Sequence, residues 1–197
     1  AQAREAALAH TGSMAGSHEA FDAVAGEAGV IRVDSADEAA DVIDFLVHAP
    51  MPTAPGVGVV TYSGGVRGLA ADAAERHGIS IPAFSDQTVR RMRDVLGEDF
   101  PVSNPLDATG LFAGGAELVV KVLAAVLADP DIGAVLVQED LPPGEGHNDA
   151  NRRRARRVVE TMEMIEQKFL GKPGAKPIAL SGATSSELTE FSRGARK

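Results

Sequence analysis

The sequence predicts an α/β protein built around a doubly wound parallel sheet. Short apolar runs alternate with amphipathic helical patterns along residues 57–197, as in chains whose parallel strands are joined by helices. The first apolar run passes into a helical pattern through Ser63-Gly64-Gly65. Before it, three prolines in the eight residues 49–56 predict a stiff linker. We therefore expect two domains, over residues 1–48 and 57–197.

The segment before the linker has clear helix-capping signals. Ser17 is a good N-cap, and Ser35 and Glu38 have the spacing of a capping box. The elements expected here are a loop over residues 1–16 that carries His10, a helix over 18–28, a short strand over 30–33 and a helix over 35–48.

The segment after the linker alternates between runs typical of β-strands and runs with the apolar spacing of amphipathic helices. Gly78 is a suitable helix terminator, and Gly133–Gln138 is a continuous apolar run typical of a strand buried on both faces. The expected strands cover residues 57–62, 79–83, 102–107, 133–138 and 176–180, and the expected helices cover 65–77, 86–96, 115–128, 149–169 and 185 onward. Residues 142–146 are expected to form a loop.

Composition excludes several classes of function. The chain has no cysteine, so disulfides and zinc–thiolate sites are impossible. A net charge of −9 and few aromatic residues argue against nucleic-acid binding. No apolar run reaches the ~20 residues that span a membrane, and no signal segment is present. We expect a cytoplasmic protein without membrane or nucleic-acid partners. Because the chain opens without methionine and stops soon after a helical pattern begins, we also expect a segment of a longer polypeptide.

Ligands of doubly wound sheets bind beyond the carboxyl ends of the strands. The glycines after Ser63 permit a tight turn and close approach of a ligand, and the helix that follows offers free N–H groups to an anion. The spacing matches neither the dinucleotide fingerprint nor the P-loop. The residues expected at this edge are Ser63, Gly64, Gly65, Asn104, Asp107, Glu139, Asp140 and Ser181.

Several neighbouring residues together resemble a known family. The run Ala9-His10-Thr11-Gly12, followed by Ala15-Gly16-Ser17, is similar to the phosphohistidine loop, usually Ser-His-Thr-Gly, of the NDP-forming acyl-CoA synthetases, relatives of succinyl-CoA synthetase. The run from Val59 to Gly65 resembles the strand and turn that enter a phosphate-receiving helix in that family, and Asn104–Asp107 and Asp131–Pro143 resemble further blocks. The chain departs from the family pattern at Ala9, where serine is usual, and at Tyr62, where asparagine is more common.

The resemblance implies a flavodoxin-like doubly wound domain, preceded by the C-terminal part of a second flavodoxin-like domain similar to the succinyl-CoA synthetase α-subunit. It implies conversion of a small carboxylic acid, CoA and ATP to acyl-CoA, ADP and phosphate through acyl-phosphate and phosphohistidine intermediates. It implies CoA and ATP/ADP with Mg²⁺, bound mainly by CoA-binding and ATP-grasp domains or subunits outside this chain, and an oligomeric enzyme. The implied site residues are His10 as nucleophile, Ser63, Gly64, Gly65 and Val66 as the phosphate site, Thr11, Gly12, Asp107 and Glu139 in support, and no metal ligand.

Other interpretations remain open at this point. The chain is also compatible with a non-catalytic regulatory module, of the kind attached to protein acetyltransferases, although an intact His10 favours catalysis. An FMN-binding flavodoxin is disfavoured, because paired aromatic residues that would sandwich a flavin are absent. Ser63–Gly65 alone is also compatible with a structural turn, and the arginine-rich run 152–157 with a solvated helix face.

Overall fold

The computed structural model describes residues 17–111, 115–138 and 149–181, and it divides the chain into two compact units, residues 1–44 and 45–197. The division falls just before the proline-rich linker. The helices are α1 (His18–Glu27), α2 (Ala36–His48), α3 (Gly64–His77), α4 (Asp86–Leu96), α5 (Ala116–Leu127) and α6 (Asp149–Phe169). The strands are β1 (Gly56–Thr61), β2 (Leu106–Asp107), β3 (Ile132–Gln138) and β4 (Ile178–Ser181).

The helices of the first part of the chain begin where their capping residues predict. The Ala20 N–H donates to Ser17 Oγ (3.4 Å) at the start of α1. At the start of α2, the Glu38 N–H donates to Ser35 Oγ (3.1 Å), whereas Glu38 Oε2 accepts from the Asp34 N–H (2.8 Å). The second half of the capping box therefore closes one residue earlier than in the usual reciprocal pattern.

The strand expected over Val30–Val33 is wrong, because the structure has an irregular segment there. Val30 and Ile31 are 54% and 57% exposed, and no strand in the described part of the chain pairs with them. A strand needs a partner for its backbone groups, so β-branched residues alone do not form one.

The second unit contains a parallel sheet of four strands in the order β2-β1-β3-β4. Helix α5 packs closely on one face, where a Cβ on Gly58 would lie 2.5 Å from Val126 Cγ1. Helix α3 contacts β1 and β2. The alternation of helices and parallel strands confirms the predicted fold class. The fully buried core includes Val60, Met92, Leu106, Leu123, Val126, Ile132 and Val137.

The strand expected over Ile79–Ala83 is also wrong. Only Ser80 forms an isolated parallel bridge, with Gly56, and the Val57 N–H donates to the Ser80 carbonyl (2.8 Å). Pro82 follows closely and has no N–H with which to continue the ladder. One side of β1 pairs with β3. On the other side, Ser80 lies beside the start of β1 and β2 lies beside its end.

A side chain fills the gap between these two backbone contacts. Asn104 Oδ1 accepts from the Val59 N–H (2.9 Å), and Asn104 Nδ2 donates to the carbonyls of Val57 (2.9 Å) and Pro82 (2.8 Å). One amide thus takes the place of a strand residue along the edge of β1.

Replacing Asn104 by alanine should destabilise the second unit by about 3 kcal/mol or more, because three backbone groups lose their partner and each unsatisfied buried group costs at least about 1 kcal/mol. The free energy of unfolding in urea measures this loss. Asn104→Asp is the informative comparison, since it keeps the acceptor for Val59 and removes the donor to both carbonyls. Wild-type stability in both variants would show that the side chain does not support the sheet.

A buried carboxylate stabilises the turn before β3, at the amino end of that strand. Asp129 is 0% exposed and accepts hydrogen bonds from the N–H groups of Ser85 (2.8 Å) and Asp131 (3.0 Å). The Lys176 ammonium donates to the Asp129 backbone carbonyl (2.7 Å). Burial alone would raise the pKa of Asp129, but hydrogen bonds from Ser85, Thr88 and Asp131 outweigh it and lower the pKa. The turn therefore holds a carboxylate rather than a neutral acid.

This carboxylate should make stability depend on pH in the acid range. Because its folded-state pKa is lowered, its contribution is present above the unfolded-state pKa of about 3.9 and is lost as pH falls through the folded-state value. Asp129→Asn should cost about 1–3 kcal/mol at pH 7, and the difference from wild type should shrink on acidification. Urea unfolding between pH 7 and pH 3 measures both effects. Asp131→Asn, an exposed change of the same kind, should alter the free energy of unfolding at pH 7 by less than about 0.5 kcal/mol.

Candidate functional site

Helix α3 begins at Gly64, directly beyond the carboxyl end of β1. Ser63 is its N-cap in an extended conformation (φ −152°, ψ 123°), and its side chain forms no capping hydrogen bond. Thr61 Oγ1 donates to the Ser63 carbonyl (3.0 Å) and fixes the turn. The first N–H groups of a helix have no acceptor within the helix, and they carry the positive end of its dipole. The start of α3 is therefore suited to an anion.

Glycine at position 64 makes room for a neighbouring side chain rather than for the tight turn that the sequence predicts. Neither Gly64 nor Gly65 has a positive φ, since both lie in regular helix, so the tight-turn argument is wrong. A Cβ on Gly64 would lie 3.1 Å from Asp107 Oδ2, whereas one on Gly65 would meet nothing closer than Ser63 Oγ at 3.8 Å. Glycine at 64 therefore allows a carboxylate to approach the first turn of the helix.

Asp107, at the end of β2, is held in its ionised form. The Thr109 Oγ1–H (2.5 Å) and N–H (3.0 Å) both donate to Asp107 Oδ1. These hydrogen bonds lower the pKa of Asp107, the Arg67 charge adds to their effect, and partial burial opposes both. The second carboxylate oxygen, Oδ2, lies next to Gly64, 3.1 Å from the position that a Cβ would take there. The candidate site therefore combines hydrogen-bond donors at the start of α3 with a fixed negative charge beside them.

The strands end in one row of polar residues. Thr61 is in register with Asp107 on one side and with Gln138 on the other, and Gln138 is in register with Ser181. Side chains of residues in register on parallel strands project from the same face of a sheet. Gln138 is only 5% exposed, and its Oε1 accepts no hydrogen bond within the described part of the chain.

Sequence reasoning did not select Thr61 or Gln138 as site residues. The available signal was a polar residue closing each apolar strand, at the position where a doubly wound sheet receives its ligand. Of the predicted site residues, Ser63, Gly64, Gly65, Val66 and Asp107 are brought together around the start of α3. His10, Thr11, Gly12 and Glu139 lie outside the described residues.

Over residues 17–111, 115–138 and 149–181, no group of three or more histidine, aspartate or glutamate side chains is placed to hold a metal ion. No helix in these ranges is both long and apolar enough to cross a lipid bilayer.

The fold and the helix start define a flavodoxin-like α/β domain whose carboxyl edge presents a helix N-terminus. Residues 1–46 match the family model described as the succinyl-CoA ligase like flavodoxin domain. A trans-feruloyl-CoA synthase from an unknown prokaryotic organism is 35% identical over 142 residues, covering 71% of this chain and 20% of the relative. An ADP-forming acetate–CoA ligase from Methanocaldococcus jannaschii is 33% identical over 107 residues, covering 54% of this chain and 15% of the relative.

A solved structure shows the same fold. The dinucleotide-forming acetyl-coenzyme A synthetase 1 of Candidatus Korarchaeum cryptofilum, in complex with phosphate and ADP, superposes with a TM-score of 0.69 at 20% identity, covering 98% of this chain and 42% of that chain.

The homologues of this chain are ADP-forming acyl-CoA synthetases, and the predicted resemblance to the NDP-forming acyl-CoA synthetase family is confirmed. The chain spans about a fifth or less of the length of the two relatives described above. Relatives also include α-subunits of acetate–CoA ligases from Pyrococcus furiosus, which this chain covers to 28%. Other domains or subunits therefore complete these enzymes. The names of these relatives do not favour the regulatory-module alternative.

Proposed function

We propose that this chain is the phosphoryl-carrying segment of an ADP-forming acyl-CoA synthetase. The complete enzyme interconverts a carboxylic acid, CoA and ATP with acyl-CoA, ADP and phosphate. The relatives' names and the shared fold support this class of reaction. CoA and ATP/ADP with Mg²⁺ are assigned to other domains or subunits of an oligomeric enzyme, and this segment binds none of them tightly.

One structural observation carries the proposal. Helix α3 begins beyond the carboxyl end of β1 without a side-chain cap, and the first N–H groups of a helix have no acceptor within the helix; doubly wound domains receive their ligands at this edge. Catalysis of phosphoryl transfer consists mainly of positioning and neutralisation of charge, and a helix N-terminus contributes to both. We assign Ser63, Gly64, Gly65 and Val66 to the docking of the phosphoryl group.

His10 is the proposed carrier of that group. In the synthetic direction, an imidazole nitrogen attacks the terminal phosphorus of ATP, the phosphorus–oxygen bond breaks, and ADP leaves. A carboxylate oxygen of the acid then attacks the phosphorus, the phosphorus–nitrogen bond breaks, and an acyl phosphate forms. Finally the CoA sulfur, having lost its proton, attacks the acyl carbon and phosphate leaves. Thr11, Gly12, Asp107 and Glu139 are assigned supporting roles around these steps.

Phosphopeptide mapping tests this proposal. The complete enzyme that contains this segment is incubated with ATP labelled on its terminal phosphate, digested at alkaline pH and mapped. We expect one label that is labile in acid and stable in base, on the peptide that contains His10. An acid-stable label, or a label on another residue, would overturn the assignment of the nucleophile.

A further inference from the structure

Helix α6 carries a concentrated positive charge on a chain that is acidic as a whole. Five of the six residues 152–157 are arginine, whereas the chain has a net charge of −9. The side chains of Arg153, Arg156 and Arg157 are exposed, and none of the three forms an ion pair with another residue in the described part of the chain. They stand three and four positions apart and are neighbours on the helix surface. We call these three residues the arginine face of α6.

This arrangement of charge works against the stability of the helix itself. Like charges three or four positions apart on a helix repel one another. Helix α4 shows the opposite arrangement, because its Arg90 stands four positions from both Asp86 and Asp94. A departure from a local rule that no ion pair in the described part of the chain offsets is typical of a functional surface.

The opposite side of α6 is occupied by the core of the second unit. Val158, Thr161 and Ile165 are buried, and α6 packs against α5. The Thr161 Oγ1–H donates to the Arg157 carbonyl (2.7 Å), so the buried hydroxyl is satisfied within the helix. With its apolar side packed in the core, α6 lacks the free apolar face by which basic helices bind lipid surfaces. The arginine face therefore suits a protein or a soluble anion rather than a membrane.

The arginine face lies toward the carboxyl edge of the sheet. Helix α6 connects β3 to the parallel strand β4, so it runs from the carboxyl edge back to the amino edge, and the arginines are in its first half. Doubly wound domains receive their ligands at the carboxyl edge. Other domains or subunits that share those ligands have to approach the same edge, a step that rests on the proposed function. The arginine face is thus placed where the rest of the enzyme meets this chain.

We propose that the arginine face of α6 docks on an acidic protein surface of another domain or subunit of the complete enzyme. A guanidinium group presents a fork of N–H donors that matches a carboxylate, and arginine is enriched at protein interfaces. Aspartate and glutamate side chains of the partner replace the repulsion among Arg153, Arg156 and Arg157 by attraction. A nucleic acid fits poorly, because the negative charge of the chain as a whole repels it.

Chemical footprinting tests whether the face is covered. The complete enzyme is treated with phenylglyoxal, which modifies accessible arginines, and the modified peptides are quantified by mass spectrometry. Arg90, Arg91 and Arg93 of α4 are also exposed in the second unit and provide the matched control. Without added nucleotide or CoA, we expect the arginine face to react about fivefold more slowly than these residues, the scale of one strong exposed ion pair. Equal rates, or protection that appears only after ATP or CoA is added, would overturn the proposal.

Zero-length cross-linking identifies the chemistry of the partner. Arg153→Lys, Arg156→Lys and Arg157→Lys are introduced together, which keeps the charge and supplies amines that a water-soluble carbodiimide couples to adjacent carboxylates as amides. We expect cross-links to aspartate or glutamate residues of the complete enzyme outside these 197 residues. The matching change of the three α4 arginines should give none. The absence of cross-links, or cross-links confined to carboxylates within the 197 residues, would contradict docking on another domain or subunit.

The docking surface and the phosphoryl carrier fail separately. In the complete enzyme, His10→Asn should leave the footprint and the cross-links unchanged, because the proposed partner is a carboxylate surface rather than a phosphoryl group on histidine. Protection that disappears in this variant would overturn the docking. Labelled His10 together with fully reactive arginines on α6 would retain the proposed function and remove only the docking surface.

Discussion

Replacing His10 by asparagine should abolish both the phosphoenzyme and acyl-CoA synthesis by the complete enzyme. Asparagine keeps a polar side chain of similar reach, but its amide nitrogen is not a nucleophile at neutral pH and cannot carry a phosphoryl group. With the covalent intermediate blocked, turnover should fall below detection rather than by a modest factor. The measurements are incorporation of labelled phosphate from ATP and the rate of acyl-CoA formation. Thermal unfolding should match that of the wild type.

A histidine with no proposed role provides the control. His77 is exposed in the last turn of α3, so His77→Asn makes the same chemical change and should keep both labelling and turnover. Full turnover by His10→Asn would mean that the phosphoryl group is carried elsewhere or not carried at all. Loss of activity in both variants would point to a general effect of removing histidines.

Local sequence patterns predicted most of the fold. The strand before Ser63 and the helix after it lie within one residue of their expected positions, and Gly78 ends α3 in the left-handed conformation, as expected. Capping residues and apolar periodicity act over a few residues, so they can be recognised without the tertiary structure.

The errors come from contacts between distant parts of the chain. The edge of β1 is completed by the Asn104 side chain rather than by residues 79–83, and a contact over 45 residues leaves no local pattern. Likewise, Gly64 was assigned to a tight turn, whereas the nearby Asp107 carboxylate explains it. Gln138 resembled the end of an apolar strand, and only the strand register places it in one row with Thr61 and Asp107.

An aspartate at position 65 should leave the stability of α3 intact while it impairs the proposed docking of phosphate at the start of that helix. Gly65→Asp fits sterically, because a Cβ there meets nothing closer than 3.8 Å. An acidic residue in the first turn favours a helix by about 0.3–1 kcal/mol, so the variant should fold at least as well as the wild type.

Phosphoryl transfer in the complete enzyme should nevertheless slow, because the new charge lies where the phosphate docks. Repulsion between like charges at about 4 Å costs about 1–4 kcal/mol, which corresponds to a loss of roughly five- to several-hundred-fold in rate. The measurements are the single-turnover rate of labelling and urea unfolding of the same preparation. Gly68→Asp adds the same charge one turn further along the helix, where a Cβ meets nothing within 4 Å, and its rate should stay much closer to that of the wild type. Equal losses in the two variants would indicate a general charge effect, and no loss in Gly65→Asp would place the phosphate away from the start of α3.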